Sequence, residues 1–134
     1  MKLIIYTDGG ARNNPGPAGI GVVAYDEQKN RIFQISKYIG NATNNQAEYQ
    51  AVLAGIKKAL ELKVKELIFY LDSELVVKQL NREYKVKNKD LASLFVQIYN
   101  VILDFKKVTF QHIPREMNKE ADRLVNEAIN THNA

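Results

Sequence analysis

Apolar residues along this chain fall into runs of two kinds. Lys2 to Asp8, Ile20 to Tyr25, Arg31 to Lys37, Glu66 to Asp72 and Lys107 to Ile113 are short and rich in β-branched and aromatic residues, which is the pattern of strands. The remaining apolar positions recur at helical spacing. Val52, Ile56, Ala59 and Leu60 share one face of a helix expected to start at Asn44 or Asn45, both good cap types, and to end near Leu62. Ser73 is suited to cap a short helix from Glu74 to Leu80. Asp90 opens another, with Leu91, Leu94, Phe95, Ile98 and Ile102 on one side. Pro114 ends the last strand, and Asn118 can cap a final helix with Ala121, Leu124, Val125 and Ala128 inward. Residues 131–134 read as a short frayed tail.

The order is therefore β-β-β-α-β-α-α-β-α. A glycine- and proline-rich connection and then a polar turn at Asp26 to Asn30 join the first three strands into an antiparallel meander. A strand–helix–strand passage then demands a crossover, so the sheet is expected to be mixed and flanked by helices, an α/β fold. A chain of 134 residues with 46% hydrophobic residues suits one domain over residues 1–130. There is no cysteine, which excludes disulfides, thiolate metal sites and thiol catalysis. No apolar run approaches the ~18 residues that cross a bilayer, and the apolar start is too short for a signal peptide. A cytoplasmic protein without membrane contact is the expectation. The formal charge of +4 favours an anionic partner.

Five of the seven glycines and two of the three prolines lie between Gly9 and Gly21. A phosphate-cradling loop would lead into a helix and end on Gly-Lys-Ser/Thr, and this one leads into a strand. It reads as the turn between two antiparallel strands. The carboxylates around it carry the chemistry. Asp8 shares strand parity with Ile4 and Tyr6, and Asp72 with Ile68 and Tyr70, so two apolar strands each end on an acid. Glu48 shares a helix face with Val52 and Gly55, and Asp122 borders the apolar stripe of the last helix. In open α/β sheets, ligands sit beyond the carboxyl ends of the strands. Four acids gathered there repel one another unless a cation neutralises them, and an all-oxygen donor set suits Mg²⁺ or Mn²⁺. Carboxylates shared between two divalent ions are a device for hydrolysing phosphodiesters, so a basic chain with this set points to a nuclease.

Asp8-Gly9-Gly10 with Asn14-Pro15-Gly16-Pro17, then Thr43-Asn44-Asn45-Gln46-Ala47-Glu48, then Asp72-Ser73, then Asn118-Lys119-Glu120-Ala121-Asp122 resemble the motifs of type 1 ribonuclease H, in that family's order. The resemblance runs from about Lys2 to Ile129. It implies a ribonuclease H-like fold with a five-stranded mixed sheet, often monomeric. It implies endonucleolytic cleavage of the RNA strand of an RNA–DNA hybrid, leaving 5′-phosphate and 3′-hydroxyl ends. Asp8, Glu48, Asp72 and Asp122 match the family's metal-binding acids for two Mg²⁺ ions, with Mn²⁺ as a substitute. Gly9 and Gly10 would let backbone approach the RNA strand. Asn14, Asn44 and Asn45 match positions near the minor groove, and Thr43 matches a residue that helps hold a DNA phosphate.

Three departures bear on function. The family's loop histidine has no clear counterpart: His112 falls inside the last strand and reads as structural, which leaves Glu116, or Arg115, to assist proton transfer or metal exchange. Asn41 stands where an arginine is frequent, and Glu74 where a glutamine often reads the RNA strand. These two substitutions motivate the alternative of a broader nuclease that also cuts double-stranded RNA. The family's basic, tryptophan-bearing protrusion is replaced by Lys78, Arg82, Lys85, Lys87 and Lys89 around Tyr84, and this stretch is expected to touch phosphate. A non-catalytic binding module on the same fold would have lost metal acids, and all four are present.

Overall fold

The computed structural model describes residues 1–133. It contains strands β1 (Lys2–Ala11), β2 (Gly16–Tyr25), β3 (Arg31–Ala42), β4 (Glu66–Leu71) and β5 (Lys107–His112). Its helices are α1 (Asn44–Glu61), α2 (Glu74–Leu80), α3 (Lys89–Ile102) and α4 (Lys119–Asn133), with one 3-10 turn at Arg115–Met117. The strands form one mixed sheet in the order β3-β2-β1-β4-β5. β1, β2 and β3 are the antiparallel meander, while β1–β4 and β4–β5 are parallel. The sheet is mixed, as the strand–helix–strand passage implied.

Strand alternation divides the sheet into two faces. Leu3, Ile5, Val22, Ala24, Leu67, Phe69 and Leu71 are buried in one cluster with Val52, Ile56 and Ala59 of α1 and with Leu91 and Ile98 of α3. α4 packs on the other face, against β1, β2 and β3. There Ala121, Leu124, Val125, Ala128 and Ile129 are buried. No helix among the described residues is long and apolar enough to cross a membrane.

The structure corrects the sequence reading at four boundaries. The glycine-rich segment is mostly strand: Gly9, Gly10 and Ala11 pair with Ile20, Gly19 and Ala18, which leaves a short loop at residues 12–15. Glycine and proline read as breakers, but here small residues let helices lie against both faces of the ladder. β3 runs to Ala42 rather than Lys37, because Asn41 and Ala42 find partners in Pro17 and Gly16. Thr43, not Asn44 or Asn45, caps α1, in a reciprocal capping box with Gln46. α4 continues to Asn133 where a frayed tail was expected, with His132 stacked on Tyr38 at 3.6 Å between ring centroids. Residue 134, the end of that expected tail, lies outside the described residues.

Candidate active site

The register of the central strands sets the first two acids side by side. β1 and β4 run parallel with Ile4 opposite Ile68 and Tyr6 opposite Tyr70. Two residues further on the same face come Asp8 and Asp72. Both strands thus deliver a carboxylate at their C-terminal ends, on the face away from α1.

Two glycines bring in the other acids. A Cβ on Gly9 would overlap the Ala47 carbonyl and the Glu48 nitrogen, so only glycine lets β1 lie this close to the start of α1. The Gly9 N–H then donates to Glu48 Oε1 at 2.6 Å, and also to Asp8 Oδ1 at 3.0 Å. Asp8 pairs in register with Gly21 of β2. A Cβ on Gly21 would overlap the Ala121 carbonyl, so the missing side chain lets the start of α4 lie against β2 and carry Asp122 to the Asp8 carboxylate.

Carboxylate oxygens of Asp8, Glu48 and Asp72 lie within 4.8 Å of one another. All four acids line one open cleft of about 460 Å³, together with Gly9, Gly10, Arg12, Asn44, Asn45, Ser73 and Arg115. Asp8 is 9% and Glu48 6% exposed. Burial pushes the Asp8 carboxyl up to about 7; a hydrogen bond from Glu48 opposes this, and the charges of Asp72 and Asp122 add to it. Burial, then the Asp8 charge, holds Glu48 well above the ordinary carboxylate range. Among the described residues no lysine or arginine forms an ion pair with any of the four. A half-buried, mutually repelling, all-oxygen set that no lysine or arginine pairs with fits a hard divalent ion.

The asparagines are pinned at their oxygens. Asn44 Oδ1 accepts from the Ala11 N–H at 2.7 Å, and the Asn44 N–H donates to Asn14 Oδ1 at 2.9 Å. This links the hairpin tip to the first turn of α1. The Thr43 hydroxyl accepts from Gln46 N–H at 3.1 Å. Asn14, Thr43, Glu74, Lys85 and Glu116 do not line the acid cleft. Glu116 borders a separate cavity of about 390 Å³ with Tyr6, Tyr25 and Met117, and Arg115 beside it faces the acids instead. Glu74 is exposed and ion-pairs Lys78 at 3.2 Å. Lys85 is exposed on the connection between α2 and α3. His112 is the last residue of β5, rather than inside the strand, and is exposed.

One residue of the site was read as a helix cap and as the first residue of a family motif, with no role at the acids. Asn118 is 1% exposed. Its Nδ2 donates to the Thr7 carbonyl at 2.8 Å and to Asp72 Oδ2 at 3.0 Å. Its place four residues before Asp122 was the available signal, but the partners come from β1 and from the end of β4, far away in sequence.

A mixed sheet in this order with acids at the ends of its two central strands defines a ribonuclease H-like domain. The reverse transcriptase-like family model matches residues 6–128. A bifunctional protein of Mycobacterium tuberculosis is 42% identical over 130 residues; the match covers 96% of this chain but 36% of that protein, so the chain spans about a third of its length. The crystal structure of ribonuclease H1 from Halobacterium salinarum superposes with a TM-score of 0.95 at 34% identity, covering 98% of this chain and 99% of that one. LC11 ribonuclease H1, solved in complex with an RNA/DNA hybrid, gives 0.94 at 45% identity with the same coverages. The chain belongs to the type 1 ribonuclease H family.

Proposed function

We propose that this chain is a metal-dependent endoribonuclease that hydrolyses the RNA strand of RNA–DNA hybrids, leaving 5′-phosphate and 3′-hydroxyl ends. The observation that carries the reading is the convergence of Glu48, Asp72 and Asp122 on Asp8 in a cleft bordered by Gly10, Asn44 and Asn45. Asp8, Glu48, Asp72 and Asp122 would hold two Mg²⁺ ions, with Mn²⁺ as a substitute. When bound, such ions supply activation of the attacking water and stabilisation of the leaving oxygen. The protein's own part is orientation. Glu48 and Asp8 share the Gly9 N–H, which fixes one against the other.

Substrate selection follows from the amides. With the Oδ1 atoms of Asn14 and Asn44 taken by backbone N–H groups, each presents its NH₂ group, which has no partner among the described residues. Those donors suit ribose 2′-oxygens and the acceptor atoms of the minor groove. Gly10 beside them leaves room for a nucleic-acid backbone. Lys85 and its basic neighbours would add phosphate contacts outside the cleft.

The test compares one end-labelled sequence as hybrid, RNA duplex and DNA duplex, each with Mg²⁺ and with Mn²⁺. The expected result is cleavage of the hybrid's RNA strand alone, giving fragments that a polymerase extends. No hybrid cleavage with either ion refutes the proposal. An equal rate on RNA duplex replaces strict hybrid selection by the broader nuclease, in which Glu74 would not read the RNA strand.

A further inference from the structure

We propose that Asn118 is the positioning residue of the acid cluster, acting on three of its four members at once. The inference rests on the reading above only in taking those acids as metal ligands. Asn118 Nδ2 donates to Asp72 Oδ2 at 3.0 Å, which restricts rotation of that carboxylate. The same nitrogen donates to the Thr7 carbonyl at 2.8 Å, which fixes the backbone immediately before Asp8. The Asn118 carbonyl accepts from the Asp122 N–H at 3.1 Å, which forms the helical turn that carries the fourth acid. One buried residue therefore joins the ends of β1 and β4 to the start of α4.

The amide is not a bargain for the fold. Asn118 Oδ1 is buried without a hydrogen-bond partner among the described residues. An apolar side chain of the same shape would avoid that unpaired acceptor. What the amide supplies is two protons in one plane, directed at two acceptors on different strands. Aspartate has no donor when ionised and would set a new charge against Asp72. Serine has one proton and reaches one acceptor at a time. Glutamine carries an extra methylene into a position only 1% exposed.

The test measures Mn²⁺ binding to metal-free protein by titration calorimetry, without substrate, for wild type, Asn118→Ala and Asn118→Ser. Steady-state kinetics on a hybrid and urea unfolding in EDTA accompany it. Asn118→Ala is expected to weaken Mn²⁺ binding by roughly ten- to a hundredfold, and Asn118→Ser by less, as for other groups that orient metal ligands. The rate constant kcat falls in parallel, and KM for the hybrid stays within about twofold. A purely structural role would lower the urea midpoint and leave the Mn²⁺ dissociation constant unchanged. A folded Asn118→Ala variant with Mn²⁺ affinity and kcat within twofold of wild type overturns the proposal, as does a loss confined to KM. Should Asn118→Ala fail to fold, Asn118→Ser decides by the same criteria. A wild type that binds Mn²⁺ but does not cut hybrid refutes the substrate reading, while the Mn²⁺ comparison still decides the role of Asn118. A wild type that binds no Mn²⁺ overturns both.

Discussion

Replacing Asp8 by asparagine should stabilise the metal-free protein while abolishing cleavage. The Asp8 carboxyl is pushed from 3.8 to about 7, by burial first and by the Asp72 and Asp122 charges after it. Raising a carboxyl by this amount at about 1.4 kcal/mol per pH unit corresponds to roughly 4 kcal/mol of folding free energy. The sign follows from linkage. A carboxyl with a raised folded pKa favours the fold while it is protonated in both states, below about pH 4. That contribution is lost as pH rises to about 7, because the unfolded carboxyl ionises freely from about pH 4 while the folded one holds its proton in the cleft. Asparagine has nearly the same shape and never ionises, so it escapes the loss. Because the proton is shared with Glu48, a second substitution at Glu48 should add less than its own separate effect. The assay is urea unfolding by circular dichroism in EDTA at pH 4.5, 6 and 8, for wild type and Asp8→Asn. The variant should gain on the order of 3–4 kcal/mol at pH 8, and the gain should shrink steadily toward pH 4.5. Equal stability at pH 8, or a gain that persists undiminished at pH 4.5, would refute the claim that this cluster is a stranded charge awaiting a cation.

Four other outcomes are expected. Mn²⁺ must displace the proton held by the Asp8–Glu48 pair, so its dissociation constant should rise about tenfold for each pH unit below about 7; calorimetry between pH 5.5 and 8 reads this, and a flat profile contradicts it. Gly9→Ala forces backbone apart at Ala47 and Glu48, and should cost about 2 kcal/mol or more and most of the activity. Gly10→Ala, whose added carbon meets nothing nearer than 3.7 Å, should leave the urea midpoint nearly unchanged, and equal losses at the two glycines would sink the argument. Lys85→Ala should reduce the slope of log binding constant against log salt by about one, measured by fluorescence anisotropy on a hybrid, with no change in the cleavage pattern.

The acids were legible in the sequence because strand parity is a local property. Asp8 follows Ile4 and Tyr6, Asp72 follows Ile68 and Tyr70, and the parallel register then makes the two neighbours. Glu48 and Asp122 could be placed by helical spacing against Val52 and Val125 for the same reason. The misplacements share the opposite cause: each depends on a partner far off in the chain. Thr43, Asn44 and Asn45 are all acceptable caps, and Asn44 is taken out of contention by the Ala11 N–H across the hairpin. Arg115 and Glu116 adjoin on one 3-10 turn, and only the packing of that turn decides which of them borders the acids. The end of α4 holds because Tyr38 of β3 stacks on His132.

The glycines show how local and long-range information combine at the site. Read locally, Gly9 and Gly21 mark weak strand positions, and both nevertheless lie inside strands. Their missing side chains are the space that α1 and α4 occupy, one on each face of the sheet. Asp8 adjoins the first glycine in sequence and pairs with the second in the ladder. Wherever two helices cross a sheet this closely, the side chains that flank the crossings are forced together, and here those are Asp8, Glu48 and Asp122. The repulsion built into the cluster is therefore a consequence of backbone packing. It follows that neutralising Asp8 should relieve strain without loosening the fold, whereas adding one carbon at Gly9 should loosen the fold without changing any charge.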